Sequence, residues 1–139
     1  MQHRDILKDE IERVGKALAQ VVAHFFNRKA QGGGPPDIEV ADRELQAQID
    51  LNVNDLFGLD SEALHAFLRD RNFTSEHTEL LASYLRESAQ MEATGEMSVP
   101  RLQLALRLLE AADALAGAVS FERMTLMDQI KEKLGDLGA

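Results

Sequence analysis

The sequence predicts an all-α protein: about six helices in antiparallel hairpins, led by one long amphipathic helix. Three observations carry this expectation. Apolar residues recur every three or four positions along most of the chain, the spacing that lines one face of an α-helix. Leu and Ala dominate, aromatic residues make up 5% and Trp is absent, a composition suited to helix packing more than to strands. Gly, Pro, Asp and Ser punctuate the pattern where helices would stop and start. At 139 residues with 45% apolar content the chain reads as a single domain with enough material for a core. Its organisation is a long helix over 1–30, a Gly/Pro linker over 31–36 and a helical-hairpin bundle over 37–139.

The first helix follows from Leu7, Ile11, Val14, Leu18, Val21 and Phe25, a four-three alternation that keeps these side chains within about 80° of one another. Asp5, Asp9 and Glu10 toward its start, and Arg28 and Lys29 at its end, match the sign of the helix dipole, and Gly32 to Gly34 can supply a left-handed stop. A helix of that length spans about 40 Å, more than a compact domain of this size requires. Gln31 to Pro36 then read as a hinge or linker. A phosphate loop is the other use of such glycines, but no Gly-Lys-Ser/Thr follows and no strand precedes them.

Over 37–57, Ile38, Ala41, Leu45, Ile49, Val53 and Leu56 make a helical stripe, with Leu51 out of phase and Gly58 as the stop. Ile49, Leu51 and Val53 also alternate as a strand would, though nothing in the sequence offers that strand a partner. Asp60 caps a short helix to Asp70, with Leu59 and Leu64 as its staple. Thr74 or Ser75 caps a longer one to about Thr94, ended by Gly95. Ser98 and Pro100 open a helix to Gly117 that is apolar on nearly every side, which makes it the central element. Ser120 caps the last helix, stapled by Val119 and Met124 and buried through Met127, Ile130 and Leu134; the tail Gly135 to Ala139 is expected to fray.

In the second half, Leu80-Leu81-Ala82-Ser83-Tyr84-Leu85-Arg86-Glu87-Ser88, then Met91, Gly95 and a second amphipathic helix, resemble a single degenerate tetratricopeptide hairpin. The match departs from that pattern at Pro100, which stands near the repeat's small alanine, and in the spacing after Gly95. No second copy follows at the period of roughly 34 residues. In layout the whole chain is similar to a family of small, uncharacterised bacterial all-helical proteins with tetratricopeptide-like C-terminal halves. The resemblance implies a fold, a bacterial setting and a binding surface; it implies no reaction.

A formal charge of −9, from 15 Lys and Arg against 24 Asp and Glu, repels nucleic acid and anionic lipid surfaces. The absence of cysteine removes disulfides, thiolate metal sites and a Cys nucleophile. Met1 to Asp5 lead into mixed charge with no apolar signal region, so a soluble cytoplasmic protein is expected, with no membrane and no nucleic acid among its partners.

Four constellations could carry chemistry. Glu62 and His65 have the Glu-x-x-His spacing of di-metal helix bundles, but only one copy is present. Asp50 to Asp55 match the first half of a calcium loop; Asp55 then replaces the turn glycine and Ser61 the bidentate glutamate. His3, His24 and His77 have no nearby Ser or carboxylate at a triad spacing. Asp113 projects onto the apolar side of the central helix, where Arg101, Arg107 or Arg123 could pair with it.

The sequence therefore favours a protein-interaction module without catalysis, metal or cofactor. It is expected to self-associate, most simply as a two-fold dimer, through Leu7, Ile11, Val14, Leu18, Val21 and Phe25 of the first helix; a stripe packed wholly within its own subunit is the equal alternative. The alternative is a metal-dependent or hydrolytic enzyme built on Glu62, His65, His77 and Asp113. A third reading is an adaptor that holds a peptide of a larger assembly in a concave hairpin surface.

Overall fold

A computed structural model describes residues 2–91 and 98–139, with side chains from Ile6 onward. The described residues form seven helices and no strand: α1 (Gln2–Ala30), α2 (Pro36–Ile49), α3 (Val53–Leu56), α4 (Ser61–Asp70), α5 (Ser75–Gln90), α6 (Ser98–Ala116) and α7 (Phe121–Asp136). The all-α class and the long N-terminal helix are as the periodicity predicts.

The linker is a closed turn rather than a hinge that sets α1 apart. Gly32 takes the left-handed conformation, and its N–H and that of Gly33 return to the carbonyls of Lys29 and Arg28 at 3.1 and 2.8 Å. Position 33 admits no side chain, since a Cβ there would lie 2.7 Å from the Arg28 carbonyl oxygen. Asp37 accepts the Gly34 N–H at 3.1 Å, so α2 starts with its first turn tied to the preceding residues. α2 folds back along α1 in an antiparallel hairpin bridged by Arg28 to Glu44 at 2.9 Å.

The helix expected over 37–57 is two helices. α2 ends at Ile49 because Asp50 turns left-handed, with φ of 52°, and the N–H groups of Asp50 and Leu51 point back to the carbonyls of Gln46 and Leu45. This break accounts for Leu51, which a continuous helix would misplace and which instead enters the core. Asn52 accepts the Asn54 N–H at 3.0 Å and starts α3. Arg71 donates to the carbonyls of Ile49 and Asp50 at 3.2 and 2.6 Å, supplying partners that the interrupted helix leaves out.

The remaining caps follow the sequence. Asp60 accepts the Ala63 N–H, Thr74 that of His77 and Ser120 that of Arg123. α5 ends at Gln90, capped at Met91, short of the expected Thr94; the Gly95 stop lies outside the described residues.

α6 is the central element: it packs against α5, α7 and α4, with Leu102, Leu104, Ala105, Leu108, Leu109, Ala111 and Ala112 buried. α5 and α6 form the most extensive pair and run antiparallel, and α1 lies along the other side of α5. Two late expectations are corrected. Val119 and Met124 do not close as a staple; both stay exposed, while Ile130 and Leu134 turn inward as expected. The tail does not fray from Gly135: the helix runs to Asp136, and a left-handed Gly138 lets the Ala139 N–H reach the Leu134 carbonyl at 2.9 Å.

Candidate functional site

The most concentrated chemistry is a buried polar network between α2, α5 and α6. Helical phase puts Asp42 beside the inward Ile38, Ala41 and Leu45, and Arg101 in line with Ala105, Leu108 and Ala112, so both project toward the core. Arg101 is 4% exposed, and its guanidinium donates to Ser88 Oγ at 2.9 Å and pairs with Asp42. The Tyr84 hydroxyl donates to the other oxygen of Asp42 at 2.5 Å. Burial, reinforced by the Asp42 charge, holds the Tyr84 phenol far above its ordinary pKa. It is a neutral donor at physiological pH. The ring of Phe25 meets Tyr84 edge-on at 5.0 Å, which ties α1 to the same point. A cleft of about 520 Å³ opens onto the network, lined by Asp42 and Arg101 together with Pro35, Pro36, Glu39 and Asn54. Asp42 is satisfied by Tyr84 and Arg101, so the arrangement is a polar staple joining three helices.

A second ionic group fastens the α6–α7 corner. Arg123 donates through Nε to Asp113 at 2.5 Å, through Nη1 to Glu79 at 3.4 Å and through Nη2 to the Ala118 carbonyl at 3.2 Å. The hydrogen bond to Asp113 raises the Arg123 pKa above its already high ordinary value, so the guanidinium stays charged. Of the three arginines that could have met Asp113, Arg123 is the one bonded to it, and the contact is structural.

The partner-binding stripe expected on α1 is corrected. Val14, Leu18, Val21 and Phe25 are buried in this chain's own core, in the hairpin with α2 and the packing against α5, and cannot also face a second copy. Ile11 is partly buried and Leu7 exposed, because α1 outruns its neighbours. Ile49 at the end of α2 and Phe73 just before α5 share a small cleft with Glu10, Arg13 and Val14. The turns of α1 before Glu10 project past both elements.

The α6–α7 corner lies at this same end of the bundle, since Arg123 reaches Glu79 in the first half of α5. Phe121 there is 82% exposed and Val119 68%, while Ile6 on the projecting turns is 66% exposed. These are the three most exposed large hydrophobic residues among those described. The sequence had assigned Val119 to a staple and gave Phe121 no role; a bulky apolar pair flanking the Ser120 cap was the available signal.

The residues of the catalytic alternative do not meet. Glu62 is exposed on α4 beside a half-buried His65, His77 caps α5, and Asp113 is taken by Arg123. The half calcium loop is spent on local structure: Asp50 accepts from Gln46 at 2.7 Å, and Asn52 caps α3. Among the described residues no three His, Asp or Glu side chains are grouped to hold a metal ion, and no helix is long and apolar enough to cross a membrane. Compared with models of known protein families, with curated proteins and with solved structures, the chain matches none.

Proposed function

We propose that the protein is a non-catalytic protein-interaction module that self-associates through the end of the bundle where α1 projects. The carrying observation is that Ile6 and Leu7 on the projecting turns, and Val119, Phe121 and Met124 at the α6–α7 corner toward the same end, are exposed, while Val14, Leu18, Val21 and Phe25 of the α1 stripe are internal. Bulky apolar side chains held in water favour a contact surface, because their burial on association removes them from it. A second copy is the occupant we favour. Leu7 and Ile11 continue the seam of Val14 and Leu18 past the point where α2 and α5 stop, and another helix of the same phase completes it. The close α5–α6 hairpin supports the likeness to a tetratricopeptide hairpin, an element that serves as a binding surface.

Light scattering at micromolar concentration tests the reading. The expected result is a dimer that Phe121→Glu or Leu7→Glu converts to a folded monomer. A wild-type protein that stays monomeric removes self-association, and a dimer indifferent to both substitutions moves the interface to another face.

A further inference from the structure

We propose that the contact between Gly15 of α1 and His77 of α5 is a proton-released clasp: protonation of His77 lets the turns of α1 before Gly15 come away from the bundle. This rests on the clasp's own geometry and holds whatever partner meets that end.

Gly is the poorest helix former after Pro, yet Gly15 stands in the middle of a long helix. Its use is the space it leaves: a Cβ at position 15 would lie 2.7 Å from His77 Nε2. The imidazole is seated against the α1 backbone, with the Phe73 ring edge-on at 5.7 Å. On its other side, Nδ1 accepts the Thr74 N–H at 3.3 Å while the His77 N–H donates to Thr74 Oγ1 at 3.1 Å, a reciprocal capping box. The accepting nitrogen must be unprotonated. A proton there sets donor against donor, adds positive charge at a helix N-terminus and places that charge in a half-buried site.

The surrounding charges do not compensate. Glu76 on the same helix is exposed, and burial outweighs its attraction, so the His77 pKa lies below its ordinary value. On α1, Glu12 and Lys16 flank Gly15 in sequence and are exposed. At the end of α4 Asp70 is exposed, and Arg71 after it is engaged with carbonyls of the α2 end; one turn into α5, Glu79 is held by Arg123. A folded-state pKa below the unfolded value means that the open state binds the proton more readily. Closure is therefore full above the ordinary histidine range and weakens as pH falls through it toward the folded value. Beyond Gly15, Leu18, Val21 and Phe25 keep α1 in the core, so opening is confined to the preceding turns.

Amide hydrogen exchange, corrected for intrinsic rates, tests this at pH 7.5 and 5.5. In the wild type, residues 6–15 and the first turn of α5 should open several-fold more at the lower pH. His77→Gln keeps a capping-box acceptor and does not titrate, so it should abolish the response, whereas His24→Gln should leave it intact. Gly15→Ala should open the same segment at both pH values. Equal wild-type protection at the two pH values, or an unchanged response in His77→Gln, overturns the clasp.

Discussion

At the scale of the residue, the buried network behaves as a unit because each member satisfies another. Arg101→Met leaves Ser88 and the partly exposed Asp42 without the guanidinium, and losing hydrogen bonds to a charged group costs about 1.5–3 kcal/mol. Tyr84→Phe removes one donor to Asp42 and should cost less, about 1–3 kcal/mol. Urea unfolding of the two variants and of their combination measures the coupling; the double variant should lose less than the sum of the singles, since both act on Asp42. The sequence offered a partial view of this site. Asp42 and Arg101 both stand at inward helical phases, yet periodicity cannot pair residues so far apart in the chain. Arg101 is one of three arginines that the sequence offers to Asp113, whereas the carboxylate it meets comes from α2.

At the scale of the element, the caps and periods were legible because each is a local rule, and the exceptions fall where a distant side chain intervenes. The α2–α3 break is such a case. Asp50 is held left-handed while Arg71, on the far side of α4, takes up the carbonyls of Ile49 and Asp50, and no local pattern announces that partner. Asp50→Val tests the break, since a β-branched residue is poorly accommodated at positive φ; a further loss of about 1–2 kcal/mol is expected in thermal or urea unfolding. The α6–α7 corner is the second case. Arg123 gathers Asp113, Glu79 and the Ala118 carbonyl, and Arg123→Ala should lower stability by about 1.5–3 kcal/mol. Amide exchange should rise first in α7, the element that this side chain ties to α5 and α6.

At the scale of the whole molecule, α1 is one helix with two environments, and sequence alone could not separate them because the stripe runs in one phase throughout. What divides it is where α2 ends and α5 begins, a property of the assembled bundle. The division predicts opposite responses to the same chemical change. Leu18→Ala hollows a fully buried site and should cost about 2–5 kcal/mol. Leu7→Ala acts on an exposed side chain and should stay within about 0.5 kcal/mol in the isolated chain. Denaturant midpoints with an unchanged slope check both. The same pair reads out association. If a second copy covers the projecting turns, the cost of Leu7→Ala grows with protein concentration, because mass action couples folding to assembly. The cost of Leu18→Ala, a contact inside one chain, should show no such growth beyond that of the wild type. A Leu7→Ala effect that is small and equally independent of concentration leaves the projecting turns solvated and the self-association unsupported.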